Sequence, residues 1–572
     1  MYIKTTSRKN KDGSVVSYYQ LAHNIRHPVS KNSVPKILHT FGRTDEIKRE
    51  SLVRLCRSIA RLCNVTVVDN KEVESSAIVF SEQSGSPLGD VKLLYSLPIG
   101  HVSLIEEIWK RTGIEKALGD ILKKSGQKML YERALFAMVA NRLCEPESKL
   151  GVWDRWLKKV YLPSCKDLLL GDMYRAMDVL YDHAEEVERS VFFHTANLFN
   201  LDVDVIFYDT TTVSFSIDEE DEDMEEEESG CIRKYGKNKG GIWAPQVVVA
   251  LAVTRDGLPV KSWVFPGNTA DAKTVEKVRA DMRGWKLNRA LFVADAGMNS
   301  EENKKELSRA CGKYLLATRM GSSKEVKEEV LTRRGRYTVI KDNLHAKEVI
   351  VGDGERRRRY ILCYNPREAK RQREHREEII KKLEEEIDSH KDRLATKQWA
   401  IDLLASLRYK RYLTITKGGL IRIDKEKVRN ASRYDGKWVI ETNDDTLSFE
   451  DAACGYKGLM VIERCFRSLK KTQIKLEPVN HWTSKRIESH IRICVLSLLI
   501  QRIVERECNQ SWWRVRESME DLQVIRCSTK NFYFFHRNEV PKPVSEIYKK
   551  LEIPLPLKVL RIEERKVTTK QV

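Results

Sequence analysis

The chain has 572 residues, longer than one hydrophobic core usually grows, so several structural units are expected rather than a small module. Hydrophobic residues at 41% and charged residues at 32% place it among folded globular proteins and exclude a fibrous or wholly disordered chain. Lys and Arg total 102 against 83 Asp and Glu, and the net charge of +19 makes a polyanion, nucleic acid first, the leading partner class without naming a reaction.

The opening stretch MYIKTTSRKNKDG lacks the apolar core of a secretory signal, and no run of about 18 apolar residues could span a bilayer. A cytoplasmic protein without a membrane partner is expected. The 12 cysteines form no CxxC pair and no Cys/His cluster at zinc spacing, so neither a disulfide framework nor a structural zinc is expected.

Residues 1–100 alternate in a β-like way at Val15 to Leu21 and Val34 to Phe41, before an amphipathic helix at Ser51 to Leu62 and a Ser/Gly linker at Ser81 to Asp90. They read as a basic α+β unit suited to DNA. Residues 101–200 show helical periodicity, near Ile105, at Tyr131 to Leu143 and at Asp172 to Leu198, and read as a helical domain, a candidate for DNA-end recognition without a clean helix-turn-helix signature. From 201 to 319 the pattern changes to VDVIFYD, PQVVVALAV, GLPVKSWVFPG, a helix at Ala272 to Met282, ALFVAD, a second helix and YLLAT, a mixed α/β succession. Residues 320–433 are strongly charged and read as an insertion domain, with a long helix from Arg367 to Leu394. Regular signals resume over 434–510, and 511–572 read as a C-terminal tail, a candidate for dimerisation. The acidic run Asp218 to Glu228 reads as a solvated loop rather than a metal site, because like charges repel.

Asp209 follows VDVIFY and Asp295 follows LFVA, so each carboxylate sits where a buried strand emerges, the place α/β folds put catalytic groups. Asp also commonly ends strands, and either residue alone says little. The segment YKGLMVIERCFRSLK reads as one helix, on which Tyr456, Glu463 and Lys470, seven residues apart, line one stripe with Arg467. Leu459, Ile462, Phe466 and Leu469 form the neighbouring apolar face. Three clustered carboxylates are unfavourable without a cation, and all-oxygen ligation suits Mg²⁺, with Mn²⁺ as the alternative. Two such ions at Asp209, Asp295 and Glu463 would support an in-line phosphoryl displacement, with Tyr456, Arg467 and Lys470 contacting DNA. His481 and Trp482 are expected to pack or touch DNA rather than to catalyse.

The segments FYDTTTVSF, PQVVVALAVTRDGLPVKSWVFPGNTAD, LFVADAGMNS, DGKWVIETN and YKGLMVIERCFRSLKKTQIKLEPVNHWTSKRIESHI resemble the transposases of the IS-four superfamily. The similarity is greatest to the insertion-sequence sixteen-thirty-four group. It runs from about Leu201 to Val504, with a weaker echo in the first hundred residues. The group's helix signature is Tyr, two residues, Arg, three residues, Glu, six residues, Lys; Leu459 stands where the Arg is expected, and Lys457, Arg464 and Arg467 are the candidate replacements. Asn268 and Asp271 of FPGNTAD also fit the family pattern and are taken to support the fold. The resemblance implies a ribonuclease-H-like catalytic core, a mixed sheet with flanking helices, interrupted by the insertion domain. It implies cut-and-paste transposition of an element flanked by inverted repeats, by a homodimer acting on double-stranded DNA in a synaptic complex, associated with a prokaryotic nucleoid. In some members a tryptophan holds a flipped base, and Trp399 and Trp438 are the candidates by position. A nuclease of this fold that does not join strands, and an inactive DNA-binding derivative, are the competing readings.

Overall fold

A computed structural model describes residues 2–9, 15–26, 33–43, 91–216, 221, 231–389, 397–416, 420–529 and 531–564. The chain divides into two compact units, Met1–Asp90 and Val91–Val572. In the first, Tyr2–Lys9, Val15–Arg26 and Ser33–Arg43 form an antiparallel three-stranded sheet, and the two alternating stretches fall within its second and third strands. The expected helix at Ser51 to Leu62 and the linker at Ser81 to Asp90 lie outside the described residues, as does the acidic run except for Asp221.

The second unit is organised on a ten-stranded mixed sheet. Its centre runs Pro259–Pro266, Trp243–Thr254, Val205–Ser214, Leu291–Ala294, Tyr314–Thr318, which in chain order is three-two-one-four-five. The first, fourth and fifth of these strands are parallel and the second is antiparallel to the first. That is the ribonuclease-H-like order. The strands read as near-continuous apolar runs because both faces are covered. Phe207 and Val213 pack into the core on one face, beneath the helices of residues 449–467 and 484–508, while Ile206 and Tyr208 pack into the other, beneath Asp271–Gly284 and Glu301–Ser308.

The segment 320–433, expected as a single insertion domain, divides in two. Thr338–Lys341, Leu344–Val351 and Arg358–Tyr364 add three antiparallel strands to the central sheet through Lys437–Thr442. Residues from Pro366 onward build a separate small core, in which Ile379 and Leu383 of the helix Pro366–Ser389 pack on Leu403, Tyr412, Leu413 and Ile421. In Leu344–Val351 the adjacent Lys347 and Glu348 interrupt the apolar alternation, which hides the strand from a period-two reading.

The C-terminal segment is likewise no free tail. Gln523–Ser528, Phe532–Arg537 and Val559–Glu564 join Lys92–Pro98 in a four-stranded sheet packed on the helices of residues 100–144. Asp172 to Leu198 is two helices, Leu170–Asp182 and Ala184–Leu198, broken at His183. The helix Ser484–Cys508 belongs to two cores at once: Ile487, Ile491 and Leu498 pack under the central sheet, and Ile493, Ile500 and Val504 pack in the helical bundle. Among the described residues no helix is long and apolar enough to cross a membrane.

Candidate active site

Parallel pairing sets Tyr208 opposite Ala294, so the residues that follow, Asp209 and Asp295, emerge side by side from adjacent strands about 4.8 Å apart. Asp209 shares its side of the strand with Phe207 and Val213, which face the helix bearing Glu463. Asp295 ends its strand at the turn Ala296–Met298. The expected single helix from Tyr456 to Lys470 is instead Phe449–Lys457 and Met460–Arg467, separated at Gly458 and Leu459 and followed by a wider turn over Ser468–Thr472. Gly458 sits against the first strand so closely that a Cβ there would come within 2.5 Å of the Phe207 ring. The anticipated apolar face is present: Ile462 and Leu469 are fully buried, and Phe466 and Leu459 nearly so. Burying such side chains contributes about 1.5–3 kcal/mol each and holds the carboxylate helix on the sheet.

Asp209, Asp295 and Glu463 line one cavity of about 250 Å³, together with Tyr456, Trp438 and Lys457. A larger groove of about 770 Å³ shares Glu463 and is lined by Arg467, Lys470, Lys471, Lys239, Thr211 and Thr212. The six residues expected to carry the site therefore all border these two spaces. Leu459, at the position of the expected Arg, is part of the core and of the cavity wall. Of the candidate replacements, Lys457 lines the cavity and Arg467 the groove, and Arg464 lines neither.

The two aspartates have separate partners. The Lys239 ammonium lies 3.4 Å from Asp209 Oδ1 and also donates to the Thr210 carbonyl. The Tyr456 hydroxyl donates to Asp295 Oδ1 at 3.1 Å. Burial pushes the Asp209 carboxyl above its ordinary range, opposed by Lys239 and the Thr210 N–H and reinforced by Asp295. The Tyr456 phenol is pushed strongly up by burial and then by Asp295. Lys470 donates to the Thr212 carbonyl at 2.5 Å and lies 3.5 Å from Glu477, which ties the end of the helix region to the first strand.

Among the described residues no group of three or more His, Cys, Asp or Glu side chains is drawn together tightly enough to hold a metal ion. Asp209 and Asp295 each turn to their own cation or proton donor, which lowers their mutual repulsion. The donor set nonetheless fits a hard divalent cation: three carboxylates, all oxygen, converging on one cavity.

Lys239 is the contributor that the sequence reading lacks. Lys239 sits in the turn of KYGKNKGGIW, a glycine-rich and basic hairpin without a hydrophobic period. Asp271 accepts from the Thr210 hydroxyl at 2.6 Å, next to Asp209, and so supports the first strand. Trp438 lines the cavity with its indole N–H unpartnered, whereas Trp399 donates to Glu386 in the separate small core. His481 packs edge-on to Tyr174 and beside His490, and burial, with Lys149, Arg486 and Arg142 nearby, pushes it down to about 3. It lines neither the cavity nor the groove.

A three-two-one-four-five mixed sheet that ends in a carboxylate-lined cavity defines the ribonuclease-H-like class. Residues 204–500 match the family model described as Transposase DDE domain, and residues 3–71 match that described as IS1634 family transposase, N-terminal domain. The chain belongs to the DDE transposases, with the IS1634 group as its branch, and is accordingly a metal-dependent DNA-cleaving enzyme. Among solved structures it is similar to a piggyBac transposase synaptic complex with hairpin DNA, at 11% identity over 79% of this chain and 80% of that one, with a TM-score of 0.32. It is also similar to a Mos1 transposase paired-end complex with the left transposon end, at 12% identity over 46% and 76%, with a TM-score of 0.12. At those scores the superpositions add nothing to the sheet order. No curated protein sequence matches the chain.

Proposed function

We propose that the chain performs cut-and-paste transposition of an insertion sequence: as a homodimer it binds the inverted-repeat ends, cleaves phosphodiester bonds and transfers the 3′-hydroxyl ends to target DNA. The observation that carries this reading is that Asp209, Asp295 and Glu463 line one cavity, which shares Glu463 with a basic groove. Asp209, Asp295 and Glu463 are the metal-holding and catalytic residues. Two Mg²⁺ ions, or Mn²⁺, bound there supply activation of the attacking water or 3′-hydroxyl and stabilisation of the leaving oxygen.

The chain's own residues do the rest. Tyr456 orients Asp295 through its hydroxyl, and Lys239 steadies Asp209. Arg467 and Lys470 hold phosphates in the groove, Lys470 from a position already fixed by the Thr212 carbonyl. Lys457 takes over part of the phosphate contact left open by Leu459. Trp438, which lines the cavity, is the candidate to pack a base flipped from the duplex.

The test is a strand-transfer assay on paired inverted-repeat ends with Mg²⁺. The expected result is cleavage followed by joining, with Asp209→Ala, Asp295→Ala and Glu463→Ala each abolishing both. Cleavage without joining would make the protein a nuclease, and unchanged excision in any of the three variants would remove that residue from the metal site.

A further inference from the structure

Trp482 is among the most exposed large side chains, at 71%, yet it is not loosely placed. The Arg233 guanidinium lies 5.4 Å from its ring and 5.6 Å from the ring of Phe215, which lines the basic groove. Arg233 is itself 8% exposed and pinned by Asp221, whose Oδ1 is 2.5 Å away, while the Arg233 backbone N–H donates to Asp221 Oδ2. Pro478, shortly before Trp482 in the chain, also lines the groove. A large aromatic is thus held at the Phe215 side of a groove whose cations are Lys239, Arg467, Lys470 and Lys471.

Holding an indole in water exposes apolar surface that folding would otherwise bury, so a fixed, exposed Trp beside cations asks for a ligand with both a flat apolar face and negative charge. A nucleotide strand has both. In a duplex the faces of internal bases are covered by their neighbours, whereas an unpaired strand offers them to an aromatic platform. We propose that Trp482, backed by Arg233, is a stacking platform for the unpaired DNA strand that runs from the carboxylate cavity along the Lys470 groove. This deepens the transposase reading and rests on it for the identity of the ligand, but names a strand form and a residue that reading does not require.

The experiment measures affinity under calcium, without cleavage, for a blunt duplex and for the same duplex carrying a short oligothymidine tail with 2-aminopurine in it. The wild type binds the tailed DNA more tightly and its 2-aminopurine fluorescence changes on binding. Trp482→Ala loses about tenfold in affinity for the tailed duplex only, while Trp482→Phe keeps most of it. Equal affinities of wild type and Trp482→Ala for tailed DNA would overturn the proposal. So would an equal loss on blunt duplex, which would mark a general wall of the groove or a folding defect. Because only uncut DNA is scored, failure here leaves the cleavage and joining test intact, and failure to join leaves this comparison readable.

Discussion

Replacing Lys304 with Met should damage both the stability of the central sheet and the placement of Asp295. Lys304 and Glu441 form a buried ion pair, Nζ to Oε1 at 2.9 Å, with side chains 9% and 4% exposed. Glu441 lies on Lys437–Thr442 and Lys304 on Glu301–Ser308, so the pair bridges the sheet to the helix that follows the Asp295 turn. Within that turn region, Asn299 donates to the Ala317 carbonyl at 2.9 Å and to the Thr318 hydroxyl at 3.0 Å, and lies 3.5 Å from Glu441 Oε2. Removing only the ammonium leaves the Glu441 charge in the interior with little beyond Asn299 to solvate it. Breaking a buried pair from one side costs about 3–5 kcal/mol, whereas replacing both partners by apolar residues is often close to neutral. Lys304→Met should therefore lower the unfolding free energy in urea by about that amount. Lys304→Met/Glu441→Leu should recover most of it. In the single variant cleavage should fall by about tenfold or more at a temperature where it is folded, because Asp295 loses its brace. A single variant within about 1 kcal/mol of wild type, or a double variant no better than the single, would refute the reasoning.

Two further outcomes follow from the site and its surroundings. Burial raises the Asp209 carboxyl, so its ionised form burdens the fold at neutral pH and the burden fades as pH falls through that raised value to below the ordinary carboxylate range; metal-free Asp209→Asn should melt higher than wild type at neutral pH, converge with it in acid, and gain less than wild type from added Mg²⁺. Lys149, 3.2 Å from His490 Nδ1, is pushed down by burial and then by Arg142 to about 7 from 10.5. The unfolded chain keeps that proton where the folded one has lost it, so stability should rise with pH across the window between those values, by about 1 kcal/mol per pH unit, and Lys149→Met should flatten the slope in urea titrations. Parallel pH curves for the two proteins would dispose of the Lys149 account, and a lower melting temperature for metal-free Asp209→Asn would dispose of the other.

The strands that carry Asp209 and Asp295 were legible because buried parallel strands leave long apolar runs, and an Asp that ends such a run is conspicuous. That these two lie side by side is a matter of register, which no local pattern carries. Glu463 was legible from its helix, and its apolar companions pack as anticipated, but the break at Gly458 was not. It depends on how near the Phe207 ring lies, a contact between distant parts of the chain. With that break, Tyr456 stands on the helix before Gly458 and donates to Asp295. The strands at Gln523–Ser528 and Phe532–Arg537 were passed over because their partner, Lys92–Pro98, is more than four hundred residues away. Lys239 was invisible for the same kind of reason: a turn residue gains meaning only when the hairpin folds over Asp209.

The double membership of Ser484–Cys508 bears on how such an enzyme can be cut into parts. A helix that fills one core with Ile487 and Leu498 and another with Ile493 and Val504 makes each core the missing wall of the other. Residues 91–200 should not survive excision as a portable DNA-reading module, and the catalytic sheet expressed without them should expose a greasy seam and aggregate. Shuffling between relatives would have to exchange Val91–Val572 as one block, leaving the N-terminal sheet as the piece free to vary.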